Sequence, residues 1–314
     1  MGMTKKFIIY GFGRMGLTHY AILNQLIDNA DFLFVDPNNK VNYFAKRNLN
    51  IKIVSSDKGL HESFDYALVC TPPMFHVPIL ENCVKNKIPS IFVEKPFGGI
   101  NDDFSKMLNF SQDISIGYVL RFNPIIKWVK EYINIENIAK VEGFYFSNTI
   151  EQKPKGWRNG FYSGVTNEVG AHIIDLCVYL FGLSNPSVIN KQSESIISDV
   201  DDIVIADLED KLIKYHFHFD WVNKEYRKPV FKFIATLKDG TFIRFDQQKA
   251  EHLDNSHNLL SKITVADLAQ KVPFYLRGVE FTSQMQDFVG SKNTISNLSD
   301  ALITRNVIKK LITQ

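Results

Sequence analysis

Glycines 11, 13 and 16, in Gly11-Phe12-Gly13-Arg14-Met15-Gly16, have the spacing that lets backbone N–H groups approach a pyrophosphate at a helix N-terminus. Asp36 stands twenty residues beyond Gly16, after the apolar run Phe32–Val35, where a carboxylate can accept both ribose hydroxyls of NAD and repels a 2′-phosphate. A tight turn followed by a solvated aspartate uses the same residue types, but the position of this run after a first strand favours a nucleotide, with NAD preferred to NADP. Arg14 could touch the pyrophosphate or be solvated at the helix start.

Two further groups have residue types suited to redox chemistry on an alcohol. In Glu94-Lys95-Pro96 the lysine follows the apolar run Ser90–Val93, and an ammonium at such a strand end can hold an alcohol oxygen. In Glu168-Val169-Gly170-Ala171-His172-Ile173-Ile174-Asp175 the acids lie four residues before and three after the histidine, so all three share one helical face. An imidazole with an orienting carboxylate can take the proton of a hydroxyl while hydride leaves its carbon. The same stripe also occurs as a helix-stabilising charge pair.

These residues must be positioned by two kinds of architecture. Short apolar runs at Phe7–Tyr10, Phe32–Val35, Ala67–Cys70 and Ser90–Val93 alternate with helical segments, which predicts a doubly wound parallel sheet in an α/β Rossmann-type domain over residues 1–119. Beyond it, strands follow one another over 141–150, 203–208, 212–221, 231–237 and 241–245, with one helix, Asn167–Phe181, capped by Thr166 or Asn167 and closed by Gly182. This predicts an α+β domain over 120–314 with a mostly antiparallel open sheet, and C-terminal helices that pack against this domain or back on the first.

The order and spacing of GFGRMG (Gly11–Gly16), TPPMFH (Thr71–His76), EKP (Glu94–Pro96), RFNP (Arg121–Pro124) and the G-x-H-x-x-D of Gly170–Asp175 resemble the Gfo/Idh/MocA oxidoreductases, over nearly the whole chain. The resemblance implies an NAD(P)-dependent dehydrogenase or reductase acting on a sugar, inositol or nucleotide-linked sugar between the domains. It implies that Lys95 and His172 are catalytic, with Glu168 and Asp175 assisting. The nucleotide would be held by Gly11, Phe12, Gly13, Arg14, Met15, Gly16, Asp36, Thr71, Pro72, His76, Glu94 and Lys95. Glu168 stands where many members have aspartate, and Ser163-Gly164-Val165-Thr166-Asn167 replaces a glycine run, so a different pocket floor is expected. The resemblance also implies a cis peptide before Pro96 and a homo-oligomer, dimer or tetramer, formed through the second sheet. Some relatives reduce an imine, enone or bilin, and one is a catalytically idle regulator; both remain alternatives.

Arg121, Trp157, Arg158, Tyr162 and Asn167 join His172 as expected substrate contacts, the aromatic and polar mixture of 157–162 suiting a sugar ring as well as a plain surface loop. His216, His218 and Asp220 alternate along one strand face. They supply no fourth ligand, so an oligomer contact is expected there and no metal. The chain has 36 Lys and Arg against 34 Asp and Glu, a net charge of +2, which gives no field for a nucleic acid. Three widely spaced cysteines and the absence of a long apolar run or a signal-like opening segment predict a cytoplasmic protein without a membrane partner. There is no Tyr-x-x-x-Lys pair, G-x-S-x-G or P-loop, which sets aside short-chain dehydrogenases, α/β-hydrolases and P-loop NTPases.

Overall fold

Alternating strands and helices in the first third of the chain give β1 (Lys5–Tyr10), α1 (Arg14–Leu26), β2 (Ala30–Val35), α2 (Asn39–Leu49), β3 (Ile53–Val54), β4 (Tyr66–Val69), α3 (His76–Lys85), β5 (Ser90–Val93) and β6 (Asp113–Ile116). The computed structural model describes residues 3–99, 101–104, 107–160, 162–268, 271–273 and 275–313. The six strands form one parallel sheet in the order β3-β2-β1-β4-β5-β6. The order reverses between β1 and β4, which makes the carboxyl ends of these two strands the place where an open α/β sheet leaves a crevice. Tyr10 pairs in register with Val35 and Val69, and Val69 with Val93. Gly11, Asp36, Cys70 and Glu94 therefore leave the sheet at one level.

The rest of the chain contributes α4 (Pro124–Tyr132), β7 (Ile138–Phe146), α5 (Ala171–Phe181), β8 (Ser187–Glu194), β9 (Ile203–Asp210), β10 (Ile213–Asp220), β11 (Val230–Leu237), β12 (Phe242–Phe245), β13 (Lys249–Leu253), β14 (Leu259–Thr264), α6 (Val279–Gly290) and α7 (Leu298–Thr313). The second sheet has the order β14-β13-β12-β11-β7-β10-β9-β8, and only the β7–β10 pair in it is parallel. The chain forms two compact units, one of Met1–Val119 with Val272–Leu298, the other of Leu120–Lys271 with Ser299–Gln314.

In the first unit one sheet face carries Phe7, Ile9, Phe32, Phe34, Leu68 and Phe92, all buried, against Ile22 and Leu23 of α1 and Met285 and Phe288 of α6. Each such side chain contributes about 1.5–3 kcal/mol on leaving water. In the second unit α5 lies close on its sheet. A Cβ on Gly143 would stand 2.6 Å from Ile173, and one on Gly170 would stand 2.7 Å from the Phe219 ring. Among the described residues no helix is long and apolar enough to cross a membrane.

Candidate active site

The glycine loop divides three physical tasks among its glycines. Gly11 has φ +96°, and a Cβ there would stand 2.7 Å from the Cys70 carbonyl oxygen, so the turn and its approach to the neighbouring strand end require glycine. At Gly16 a Cβ would stand 2.2 Å from the Gly11 carbonyl oxygen, so α1 can close on the loop only without a side chain. Gly13 is the N-cap of α1 and its side is open, with no atom within 4 Å of the Cβ position. That is the geometry of a turn glycine, a packing glycine and one that leaves room for a phosphate.

The carboxylate of Asp36 accepts the Phe12 N–H at 3.0 Å and the Asn38 N–H at 2.9 Å. It thereby ties the end of β2 to the glycine loop, and a carboxylate's remaining lone pairs stay available to diol hydroxyls. Phe12 is fixed by an edge-on contact with Phe34 at 5.0 Å. Arg14 is exposed and Met15 half-buried at the first turn of α1. The Thr71 hydroxyl is buried without a hydrogen-bond partner, the kind of orphan that a ligand hydroxyl or amide satisfies. Gly13, Asp36 and Thr71 thus fit a dinucleotide.

His76 is fully buried, with its ring nitrogens 2.7 Å from the Thr71 carbonyl oxygen and 3.0 Å from that of Pro96. Burial lowers its pKa although both carbonyls and Glu94 pull upward. Expected on the cofactor, it braces the Thr71-Pro72 turn against the segment carrying Lys95 instead. The Lys95–Pro96 peptide is cis. Glu94 is buried and its Oε2 accepts the Lys95 backbone N–H at 3.1 Å.

In the second unit the helix bearing His172 begins with a π turn over Thr166–Gly170. Its cap comes from a distant loop: Asp201 accepts the Thr166 N–H at 3.0 Å and the Thr166 hydroxyl proton at 2.5 Å, so neither Thr166 nor Asn167 caps the helix as expected. Burial raises the Asp201 pKa against these donors. On α5, which is otherwise mostly buried, His172 is half-buried, as is Glu168 one turn earlier. Glu168 accepts the Ser163 hydroxyl proton at 2.5 Å and faces the Arg158 Nε at 3.7 Å, and Arg158 lies over the Trp157 ring at 5.3 Å. Trp157, Arg158, Ser163 and Glu168 therefore form one cluster, whose Glu168 lies four residues before His172. Arg158 also lines an open polar depression of about 400 Å³ with Gln152 and Lys155. Tyr162 is half-buried and its carbonyl accepts the Asn167 amide at 2.7 Å; Phe161 lies outside the described residues.

Three residues expected at the reacting centre are committed elsewhere. The Arg121 guanidinium is buried and binds Asp175 through both its oxygens at 2.9 and 2.6 Å, and Asp300 at 2.6 Å. Asp175 therefore holds Arg121 rather than the imidazole three residues before it. Burial pushes its carboxyl up to about 6, against the pull of Arg121. Asn167 is fully buried, and its Oδ1 accepts the Arg305 Nη1 proton at 2.9 Å. The RFNP run is likewise architectural past Arg121, because the Asn123 side chain caps α4 through Ile125 and Ile126 and Pro124 occupies the first helical position. His216 pairs with Asp207 at 2.7 Å, and His218 packs edge-on against Phe146. No cluster of three or more metal-ligating side chains occurs among the described residues.

Residues 5–111 match the model of the Gfo/Idh/MocA oxidoreductase family, described as an NAD-binding Rossmann fold. The first unit is similar to the nucleotide domain of that family. Solved structures extend the likeness in fold to the whole chain. Levoglucosan dehydrogenase, in complex with NADH and levoglucosan, matches with TM-score 0.81 and 17% identity over 99% of this chain and 96% of that one. UDP-N-acetylglucosamine 3-dehydrogenase GnnA from Acidithiobacillus ferrooxidans matches with TM-score 0.78 and 14% identity over 99% and 97%. The dehydrogenase MviM from Clostridium difficile matches with TM-score 0.73 and 13% identity over 99% of each chain. No curated protein matches the chain at the sequence level.

Within the first unit, sequence reasoning missed His19, which is fully buried three residues past Gly16 with Nε2 2.7 Å from Glu94 Oε1. A histidine on the inward face of an amphipathic helix is the signal that could have marked it.

Proposed function

We propose that the chain is an NAD-dependent dehydrogenase or reductase that interconverts a secondary hydroxyl and a keto group on a sugar, an inositol or a nucleotide-linked sugar. The observation that carries the reading is the glycine loop, whose one open glycine, orphaned Thr71 hydroxyl and adjoining Asp36 fit a dinucleotide at the same strand ends from which Lys95 departs. The sugar dehydrogenases of the same fold support the substrate class.

NAD, when bound, accepts or returns the hydride at its nicotinamide ring. In the oxidative direction Lys95 hydrogen-bonds the substrate oxygen as it becomes a carbonyl, and His172 accepts the hydroxyl proton. Hydride and proton together account for the two hydrogens lost. Glu168, held by Ser163 and Arg158, lies one helical turn before His172 and orients the site's polar face. Trp157 and Arg158 offer a stacking surface and a cation to a sugar ring. Asp175 and Arg121 keep α5 in place from below.

A panel of free and nucleotide-linked sugars, scored by NADH absorbance, tests the substrate class. Lys95→Ala and His172→Ala should each abolish turnover of the responding sugar while NADH affinity persists. Near-normal turnover in both variants rejects the assignment. Self-association through the sheet face carrying Phe144, Phe146, Ile205 and Ile234, all half-buried, is the accompanying expectation. A monomer in sedimentation at micromolar concentration removes it.

A further inference from the structure

His19 and Glu94 form a buried pair that the reaction as described does not use. The His19 ring is fully enclosed, its Nε2 is 2.7 Å from Glu94 Oε1, and it stands edge-on to the Phe92 ring at 4.9 Å. Its Nδ1 is buried without a hydrogen-bond partner, so the ring has one strong polar attachment, the carboxylate. The other carboxylate oxygen accepts the backbone N–H of Lys95 at 3.1 Å. The wall behind this oxygen is backbone: a Cβ on Gly117 would stand 2.8 Å from it, so only glycine lets Glu94 occupy this place. The histidine belongs to the helix that opens on the glycine loop, and the glutamate to the end of the strand from which the lysine projects.

We infer that His19 and Glu94 are positioning residues, which fix the Lys95 backbone relative to the nucleotide loop and keep its amine in the ammonium form that can donate to a substrate oxygen. The inference rests on the proposed role of Lys95. A buried histidine that only filled space would be replaceable by an apolar residue of similar volume; one that orients a carboxylate is not. The groups facing Glu94 are His19 from α1, Cys70 after β4, His76 from α3, Lys95 beside it and Arg277 before α6. Burial alone would raise the Glu94 pKa, but His19, Lys95 and His76 together hold it below the usual glutamate value, so it stays a carboxylate next to the ammonium. Four of these five neighbours are cationic or can become so, and none is a competing carboxylate.

The test needs no substrate. Competitive labelling of the full-length protein with acetic anhydride across pH, read by peptide mass spectrometry, gives the titration midpoint of the Lys95 amine. Glu94→Gln, which keeps the shape and removes the charge, should lower that midpoint by about one unit or more. His19→Leu should lower it as well, and His19→Gln, whose amide can donate from the place of Nε2, should restore it to within a few tenths of a unit. NADH affinity, measured by fluorescence, should stay within about threefold in both His19 variants. An unchanged midpoint in Glu94→Gln and His19→Leu, or equal shifts in His19→Leu and His19→Gln, overturns the inference. A wild-type protein that fails to bind NADH overturns the proposed function while leaving the labelling result to stand alone. Thermal melts of His19→Leu show whether its shift belongs to a folded protein, and the isosteric Glu94→Gln carries the test if it does not.

Discussion

Alanine at Gly13 and at Gly16 should produce opposite failures, although both positions belong to one motif. At Gly16 the new methyl carbon would stand 2.2 Å from the Gly11 carbonyl oxygen, about 1 Å inside an ordinary contact, and that oxygen is on backbone already fixed at φ +96° beneath Cys70. The loop or α1 must move, which places Gly16→Ala among overpacked variants costing about 1–3 kcal/mol. At Gly13 the methyl carbon meets nothing, and φ −95°, ψ −174° is open to alanine, so the folded state loses only the difference between glycine and alanine at an N-cap, on the order of 0.5–1 kcal/mol. If the open side of Gly13 is where a pyrophosphate lies, the same methyl should weaken NADH binding at least tenfold, about 1.4 kcal/mol. Urea denaturation gives the first quantity and fluorescence titration with NADH the second. Gly13→Ala should denature close to wild type and bind NADH poorly. Unchanged NADH affinity in Gly13→Ala refutes the assignment of this loop to the cofactor, and a loss of stability equal to that of Gly16→Ala refutes the division of tasks among the glycines.

Asp36→Ala removes both the repulsion of a 2′-phosphate and the acceptor of the Phe12 N–H, so NADH affinity should fall and the ratio of NADPH to NADH affinity should rise; an unaltered ratio in paired titrations contradicts the role of Asp36. Arg121→Leu leaves Asp175 buried opposite no cation, and the urea midpoint should fall by the equivalent of about 3–5 kcal/mol, whereas a midpoint within error of wild type would show the pair to be dispensable. Asp202 accepts the Ile196, Ile197 and Ser198 N–H groups, the Ser198 hydroxyl and the Trp221 indole; burial raises its pKa but these donors outweigh it and hold the value below the usual one. A depressed carboxyl stabilises the fold above its unfolded pKa, near 3.9, and that stability is lost as pH falls through the folded value. The decline in melting temperature below about pH 4 should therefore be shallower in Asp202→Asn than in wild type, and identical acid profiles would exclude this contribution.

The nucleotide half of the site is legible in the sequence because its residues are close together along the chain and their spacing is dictated by one ligand. Gly11 to Gly16 and Asp36 announce themselves by a pattern that strand, turn and helix must share. The second half is less legible. A separation of three residues puts His172 and Asp175 on one side of a helix, yet the partner that takes Asp175 is Arg121, 54 residues earlier. Asn167 and Arg305 are 138 apart, and the cap of the π turn comes from Asp201, 35 residues on. No local period encodes such pairings. Strand β8 escapes notice for another reason: it is an edge strand, exposed at most of its eight positions, and lacks the alternation of a half-buried face. β14, also at an edge and exposed over its first four residues, is the same case. The strand expected over 141–150 runs over Ile138–Phe146 instead, since apolar content alone does not mark where a ladder stops.

The socket that Met285 and Phe288 fill is built from residues between Phe7 and Phe92, in the first third of the chain. During synthesis the parallel sheet must wait, with that apolar groove uncovered, until α6 has left the ribosome. A fragment cut after residue 119 retains every glycine of the loop and the whole sheet, yet it would be sticky in water, and a fusion or truncation aimed at harvesting the dinucleotide half must carry α6 with it.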